Sequence, residues 1–348
     1  MRAAVFDRVG RVRLDDLPDP TVEEPGDAVI RVTRSAICGS DLHFLHGKAP
    51  ISSGEGMGHE AVGVVEAAGP DVRRFAPGDR VVVAFDIVCG RCWFCERGQT
   101  QLCEDFRNLG AGAFGGGLPG AQAERVRVPV ADVNLLGIPD GVGDEAALFV
   151  GDVLSTGWYA ASIAGIAPGD TVAIVGMGPV GYCVVQAALA MEAGPGRILA
   201  LDRDPARLAL AARAGAVPID VTASHPVTAV AEASGGRGAD VVIEAVGSPD
   251  AFETASDVVR RGGTVVIVGM YTGETVPMQL GVWWARAIDL RFSGLCPVHS
   301  VWEAAMEEVA AGRLDPLPLI SHRLPLAEVA RGYELFDRRE ATKVLLLP

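Results

Sequence analysis

The segment Cys38-Gly39-Ser40-Asp41-Leu42-His43 places a thiol, a hydroxyl, a carboxylate and an imidazole close together in the sequence. It follows an alternating apolar run over residues 28–33, which predicts a half-buried strand. A strand end fixes the backbone and leaves the side chains of the following loop free for chemistry. A single cysteine there is more often a small buried apolar side chain than a metal ligand. The role of Cys38 therefore depends on partners elsewhere in the chain.

Two candidate partners follow. His59 lies in Gly58-His59-Glu60, before a strand predicted over residues 61–67, and imidazole and thiolate are both good zinc donors. Asp152 lies inside the apolar stretch 146–154, where a charge needs a partner, and a metal ion would be one. The alternatives are a strand-end histidine bonded to a neighbour and an exposed helix carboxylate.

Four cysteines form a second candidate metal site. Cys89, Cys92, Cys95 and Cys103 have the spacing C-x2-C-x2-C-x7-C, and four thiolates suit tetrahedral zinc with bonds of about 2.3 Å. Such a site has no open position, so we assign it to folding. Two disulfides or an iron–sulfur cluster are the alternatives, but clustered cysteines in an intracellular chain favour a metal.

A glycine-rich turn predicts a dinucleotide site. Gly176-Met177-Gly178-Pro179-Val180-Gly181 connects an apolar strand, 172–175, to an apolar helix, 182–191, and the next strand, 198–201, ends in Asp202. The glycines permit a tight turn and a close approach of the backbone to the pyrophosphate, which the helix N-terminus binds.

Asp202 indicates the preferred cofactor. A carboxylate here hydrogen-bonds the adenosine ribose hydroxyls and repels a 2′-phosphate, which favours NAD over NADP. Arg203 and Arg207 argue in the other direction, because either guanidinium could hold a phosphate.

The elements that position these residues differ between the two parts of the chain. The first 150 residues predict short strands and no helix of ordinary length, whereas strands and helices alternate from Thr171 onward. This alternation predicts a doubly wound parallel sheet. Its six strands are predicted over 172–175, 198–201, 217–221, 240–245, 264–268 and 290–292. Helices are predicted over 205–214, 226–233, 249–260, 302–311 and 326–336, with a last strand over 343–347.

Composition narrows the class of protein. The chain has 348 residues, of which 49% are hydrophobic, a length that suits two domains. Its net charge of −14 argues against nucleic acid and anionic membrane surfaces as partners. The sequence shows neither a signal peptide nor the run of about 18–20 apolar residues that a membrane span needs. We therefore expect a cytoplasmic protein.

Taken together, the motifs resemble those of the zinc-dependent medium-chain alcohol dehydrogenases over the whole chain. The likeness is greatest to the bacterial branch of formaldehyde, threonine and polyol dehydrogenases. Besides the four cysteines, the motifs are Cys38-Gly39-Ser40-Asp41-x-His43, Gly58-His59-Glu60, Pro77-Gly78-Asp79-Arg80-Val81, Gly151-Asp152 and the turn at 176–181.

The resemblance implies an α/β fold with two domains. A GroES-like β-barrel catalytic domain, 1–153 and 297–348, carries two zinc sites. A Rossmann domain, 154–296, holds NAD on its doubly wound parallel sheet. The resemblance also implies a catalytic cleft between the domains and assembly into a homodimer or homotetramer.

The resemblance assigns a role to individual side chains. Cys38, His59 and Asp152 are the implied ligands of the catalytic zinc, and Glu60 is a carboxylate that can approach the metal. Asp41 orients the histidine ligand, Ser40 takes the substrate proton, and His43 passes it on. The implied cofactor contacts are Thr156, Gly176, Gly178, Pro179, Val180, Gly181, Asp202, Arg203 and Arg207, with Lys343 near the pyrophosphate.

The implied reaction is hydride transfer between NAD and a small alcohol, aldehyde or ketone. One alternative is an NADPH-preferring zinc aldehyde reductase. Another is a non-catalytic dinucleotide sensor or zinc-ribbon binding module, which would need no proton relay such as Ser40. No residue pattern identifies the substrate, because pocket side chains come from scattered loops.

Overall fold

The computed structural model describes residues 1–191, 194–273 and 275–348. The chain forms two compact units. The first unit comprises Met1–Ser155 with Pro297–Pro348, and the second comprises Thr156–Cys296.

Seventeen strands are present in the described residues. In chain order they are β1 Arg2–Arg8, β2 Arg11–Asp16, β3 Ala28–Ile37, β4 Glu60–Ala68, β5 Arg80–Val83, β6 Asp86–Ile87, β7 Arg107–Asn108, β8 Arg125–Val128, β9 Leu135–Gly137, β10 Thr171–Val175, β11 Arg197–Asp202, β12 Val217–Asp220, β13 Ala239–Glu244, β14 Val259–Ile267, β15 Asp289–Phe292, β16 Ile320–Pro325 and β17 Lys343–Leu347.

Eleven α-helices accompany them in the described part of the chain. They are α1 Asp41–Leu45, α2 Ala131–Asn134, α3 Asp144–Leu148, α4 Val153–Ile163, α5 Pro179–Ala190, α6 Pro205–Arg213, α7 Pro226–Ala233, α8 Pro249–Val258, α9 Leu280–Arg286, α10 Val298–Ala310 and α11 Val329–Asp337. Short 3₁₀ helices occur at Cys95–Arg97, Thr100–Leu102, Gly112–Gly115, Phe149–Gly151, Leu317–Leu319 and Leu326–Glu328.

The second unit contains the predicted six-stranded parallel sheet, in the order β12-β11-β10-β13-β14-β15. Its central strands β10 and β13 are buried along their whole length, as expected for strands covered on both faces. Helices α6, α7 and α8 each begin at a proline. Proline suits the first turn because it lacks an N–H, and an N–H at that position would have no acceptor within the helix. The prediction of a doubly wound sheet is confirmed.

The edge of that sheet carries exposed apolar side chains. Strand β15 is the last in the order, and its Phe292 is exposed. On α9, Trp283 is buried and stacks on Phe252, whereas the neighbouring Trp284 is 83% exposed. The two adjacent tryptophans therefore have different roles, one in the core and one on the surface.

The first unit is organised around β3, the longest strand. A seven-stranded sheet has the order β16-β17-β3-β4-β5-β9, and β8 also pairs with β3. Strands β8 and β17 use different parts of β3, at Ala28–Arg31 and Ser35–Ile37 respectively. Strand β17, which follows the second unit in sequence, thus completes the sheet of the first unit.

The apolar stretch around Asp152 is helical but broken. Helix α3 passes into the 3₁₀ turn Phe149–Gly151, and Asp152 adopts φ −151° and ψ −90° before α4 begins. No single helix in the described residues is long and apolar enough to cross a membrane. The bent pair Asp144–Gly151 and Val153–Ile163 reaches the length and apolar composition of a membrane span when its two parts are counted together, and only these two properties support it.

Candidate active site and metal centres

Strand register brings the residues of the first site together. In the pairing of β3 with β4, Ala36 lies opposite Glu60, and in the pairing of β3 with β17, Ile37 lies opposite Val344. Cys38 follows β3 directly, His59 precedes β4, and Lys343 begins β17. The ends of three neighbouring strands therefore converge on one point, where the broken helix supplies Asp152.

The predicted ligands form a compact cluster. One ligand atom from each of Cys38, His59, Glu60 and Asp152 lies within 4.8 Å of all the others. Asp152 Oδ2 is 3.5 Å from the Cys38 Sγ and 3.2 Å from the His59 Nε2. Tetrahedral zinc with bonds of about 2.0–2.3 Å separates its ligand atoms by about 3.3–3.8 Å. The cluster therefore fits a zinc ion in the number, type and spacing of its donors.

The electrostatics of the cluster also favour a cation. Burial, together with the charges of Asp152 and Glu60, raises the pKa of the Cys38 thiol. Burial disfavours a charged His59, yet the carboxylates of Asp41 and Asp152 raise the pKa of His59 well above its usual value. Anionic groups concentrated in a buried site need a counter-charge, and a divalent cation would reverse the shift on the thiol.

Lys343 has a partner that the sequence did not predict. The resemblance puts it near the cofactor pyrophosphate, and in the structure its Nζ is fully buried and pairs with Oε1 of Glu60. The physical reason is the strand register, because β17 and β4 pair with the same end of β3 from opposite sides. Burial disfavours the ammonium, but the negative charge of Glu60 outweighs it and raises the pKa of Lys343. Lys343 is therefore a buried counter-ion for Glu60, and its contact with the pyrophosphate stays a prediction.

The remaining members of the first motif surround the histidine. Ser40 Oγ lies 3.3 Å from Nε2 of His59, and Asp41 Oδ1 lies 3.3 Å from Nδ1 of the same ring. The backbone N–H of Cys38 donates to Asp41 Oδ2 at 2.9 Å. His43 is half-buried on α1, for which Ser40 is the N-terminal cap position. The structure thus brings together the hydroxyl, the carboxylate and the proposed ligands.

Two buried polar side chains near Asp41 were missed from the sequence. Gln122 Nε2 donates to Asp41 Oδ2 at 3.1 Å, and Tyr333 Oη donates to Gln122 Oε1 at 2.9 Å. The sequence does hold one signal for Gln122, because it is a polar residue between alanines, much as Asp152 stands out in its apolar stretch.

The four cysteines form the second centre. The distances between sulfur atoms are 3.5 Å for Cys92–Cys95, 3.9 Å for Cys92–Cys103 and 3.6 Å for Cys89–Cys103. Four sulfurs bound to zinc at about 2.3 Å lie about 3.8 Å apart, whereas bonded sulfurs are only about 2.05 Å apart. All four are free cysteines in the structure. The geometry fits a four-thiolate metal site and excludes the disulfide alternative.

Backbone donors support thiolates in this loop. The N–H groups of Cys89 and Asp105 both donate to the Cys103 Sγ at 3.3 Å. Backbone hydrogen bonds, including one from Cys95, lower the pKa of the Cys92 thiol to about 6. Thiolates are the form in which cysteine binds metals, so these hydrogen bonds favour metal binding at Cys92, whereas burial raises the pKa of the Cys95 and Cys103 thiols.

The glycine turn of the second unit has the geometry of a phosphate cradle. Gly176 has φ +95°, and a Cβ on Gly181 would overlap the carbonyl oxygen of Gly176. Gly178 caps α5, and Pro179 and Val180 begin it, so the first N–H groups of that helix lie beside the turn. Gly176 is thus required by its conformation and Gly181 by close packing, whereas the structure sets neither constraint on Gly178.

Asp202 lies at the end of β11, beside this turn. Its Oδ2 accepts the N–H of Met177 at 2.6 Å, and its Oδ1 accepts the N–H groups of Arg203 and Asp204. The Arg203 side chain is exposed, whereas that of Arg207 is half-buried beside Gly178. The carboxylate of Asp202 and the guanidinium of Arg207 therefore border the turn. Thr156 is half-buried on α4 in the same unit.

Comparison with known proteins assigns both parts of the chain. Residues 24–140 match the family model of the alcohol dehydrogenase GroES-like domain, and residues 179–311 match that of the zinc-binding dehydrogenases. Together with the parallel sheet, these matches confirm the predicted GroES-like and Rossmann architecture.

Individual relatives agree with these matches. A probable zinc-binding alcohol dehydrogenase of Mycobacterium tuberculosis is 41% identical over 96% of this chain and 84% of its own. The solved alcohol dehydrogenase TADH of Thermus sp. ATN1 is 44% identical, with a TM-score of 0.95 over 100% of this chain and 99% of its own. A putative zinc-binding dehydrogenase of Sinorhizobium meliloti, solved with NADP, is 31% identical, with a TM-score of 0.87 over 100% and 99%.

Proposed function

Since the chain belongs to the zinc-dependent medium-chain alcohol dehydrogenases, which interconvert alcohols with aldehydes or ketones, we propose that it does so with NAD at a zinc held by Cys38, His59 and Asp152. The observation that carries this proposal is the convergence of these three side chains, with Glu60, into a buried cluster with zinc-like spacing. The ligands come from segments far apart in sequence, so the fold alone creates this arrangement.

The chain's own residues supply the proton path. When bound, a zinc ion acts as a Lewis acid that lowers the pKa of an alcohol's hydroxyl, as it lowers that of water to about 7. Ser40, whose Oγ is 3.3 Å from the Nε2 of His59, accepts the hydroxyl proton as its own Oγ–H proton leaves toward His43, on the helix that Ser40 caps, and on to solvent. A dinucleotide held at the turn 176–181 would supply the hydride acceptor.

The charges of the first site suit a neutral substrate. As ligands, the Cys38 thiolate and Asp152 carry two negative charges, which a zinc ion neutralises, and the Lys343 ammonium offsets Glu60. The ligand set therefore leaves no excess charge on the metal to select an ionised substrate, and a neutral alcohol, polyol or aldehyde is the proposed class.

The preference for NAD rests on Asp202. Its carboxylate lies at the end of β11, where it repels a 2′-phosphate. The exposed Arg203 and the NADP bound to the Sinorhizobium relative favour the second candidate, an NADPH-dependent aldehyde reductase. We expect kcat/KM to be higher with NAD than with NADP. A panel of alcohols, polyols and aldehydes, followed by the absorbance of the reduced cofactor with each dinucleotide, measures this. Turnover mainly with NADPH would favour the second candidate.

Two zinc ions per chain are expected in the purified protein. Elemental analysis should give a ratio near two, and Cys103→Ser should lower it to one, because three thiolates bind a structural zinc poorly. Cys183→Ser, which changes a buried cysteine outside both clusters, is the matched control and should retain both ions. A wild-type ratio of one, with the four-cysteine site empty, would contradict the structural assignment.

Homo-oligomerisation and a cytoplasmic location remain predictions. The exposed Phe292 on the edge strand β15 and Trp284 on α9 provide an apolar surface that a second copy could cover. Light scattering of the purified chain tests the first of these predictions.

A further inference from the structure

The position of Asp41 depends on donors that come from outside its own motif. Asp41 is buried, and its Oδ2 accepts two hydrogen bonds, from the backbone of Cys38 and from the side chain of Gln122. Its Oδ1 faces Nδ1 of His59 at 3.3 Å and has no hydrogen bond of good geometry. The bonds to Oδ2 therefore fix the carboxylate, and with it the oxygen that faces the imidazole.

Hydrogen bonds at both its nitrogen and its oxygen fix the orientation of the Gln122 amide. Its Nε2 donates to Asp41 Oδ2 and to the carbonyl oxygen of Ala36 at 3.0 Å, and its Oε1 accepts the phenol of Tyr333. If the amide were flipped, its oxygen would face two acceptors. Because Gln122 is fully buried, no solvent competes for these bonds.

Tyr333 provides the far end of this chain of hydrogen bonds. It lies on α11 and is 2% exposed. Burial and the nearby charge of Asp41 raise the pKa of its phenol well above the usual value, so the group remains a donor. By donating to Oε1, the hydroxyl of Tyr333 fixes the orientation of the Gln122 amide.

Gly58, which precedes His59, lies directly against the side chain of Gln122. Gly58 has φ +86°, and a Cβ there would lie 2.5 Å from Cδ of Gln122. The side chain of Gln122 thus occupies the space that any larger residue at position 58 would fill. This contact accounts for the glycine of Gly58-His59-Glu60 and ties Gln122 to the backbone next to the imidazole.

We propose that Gln122 and Tyr333 are positioning residues, which hold Asp41 against the imidazole of His59 and so set the orientation of that metal ligand. The inference rests on the proposed function for the identity of the ligand, and it adds two residues that touch neither metal nor substrate. Groups that orient a histidine ligand in this way influence metal affinity by about 10–100-fold.

The test measures the metal and not only turnover. We expect Gln122→Leu to weaken zinc binding at the first site by about 10–100-fold in competition with a chelator. The four-cysteine site should stay filled. The visible absorption bands of the cobalt-substituted protein should also change, because they report ligand geometry. Tyr333→Phe, which removes one oxygen, should also weaken zinc binding and change the cobalt spectrum, but less strongly. This variant provides the test if Gln122→Leu does not fold. Tyr271→Phe removes a phenol bonded to Glu244 in the second unit and should leave the cobalt spectrum unchanged.

A double variant separates positioning from general stability. If Tyr333 acts through Gln122, adding Tyr333→Phe to Gln122→Leu should change zinc affinity no further. A full additional loss in the double variant, or a Gln122→Leu protein with wild-type affinity and spectrum, would overturn the inference and leave the proposed function intact. A wild-type protein that binds no metal at the first site would overturn the proposed function, and this inference with it.

Discussion

Replacing Ser40 with alanine lowers turnover by at least about 10²-fold, the lower end of what a positioned proton-transfer group contributes. The reason is the place of its hydroxyl, 3.3 Å from the His59 nitrogen that the proposed zinc would use. Without Oγ, a substrate hydroxyl in that position has no side chain to take its proton. Binding of NAD should stay nearly unchanged, because the dinucleotide turn belongs to the other unit.

The measurement is kcat at saturating alcohol and NAD, with the NAD dissociation constant determined separately. Ser40→Thr keeps a hydroxyl and should restore most of the rate. Ser53→Ala, the same change at an exposed serine, is the matched control and should have wild-type turnover. If Ser40→Ala turned over at the wild-type rate, the proton path would have to begin at another group.

Lys343→Met is expected to have the largest effect on stability. Lys343 and Glu60 are both fully buried, so removing the ammonium leaves a carboxylate without its counter-charge. Breaking a buried ion pair on one side destabilises a protein by about 3–5 kcal/mol. The methionine preserves most of the apolar stem, so the loss reports the charge more than the volume, including the ammonium that lies 5.9 Å from the centroid of the Phe149 ring.

Urea unfolding of the zinc-loaded protein measures this loss. Adding Glu60→Gln to Lys343→Met should recover part of it, because the unpaired charge is then gone. Lys48→Met, at an exposed position on the same unit, should change the free energy of unfolding by less than about 0.5 kcal/mol. A loss this small for Lys343→Met would show that the pair contributes little.

The second unit could be predicted in detail because its signals are local. Each strand is a short apolar run, helices such as α6 open with a proline, and the glycine turn stands between its strand and its helix. The helix ends differ from prediction by up to three residues, as at α5, predicted over 182–191 and observed at Pro179–Ala190, and α9 was not predicted. Fraying and capping determine such limits, and periodicity does not encode them.

The first site could be predicted only in part, because its geometry comes from long-range register. Asp152 was identifiable because a charge in an apolar stretch must find a partner. The pairing of Lys343 with Glu60 was not predicted, since nothing in its own segment shows that β17 pairs with β3 beside Glu60. Gln122 and Tyr333 are 211 residues apart and meet only in the folded chain. The local sequence pattern thus identifies the candidate ligands, whereas the residues that position them, such as Gln122 and Tyr333, are known only once the neighbouring strands are known.

The discontinuous first unit also sets the order in which its parts can form during synthesis. The four cysteines lie within one short loop, so that site can take up metal soon after the loop leaves the ribosome. Cys38, His59 and Asp152 emerge early too, but their buried arrangement needs β17, which follows the whole second unit. At about 5–20 residues per second, the roughly 190 residues between Asp152 and Lys343 take about 10–40 s to make. The two proposed metal centres are therefore separated in time as well as in space, and the site of Cys38, His59 and Asp152 can be completed only on a nearly finished chain.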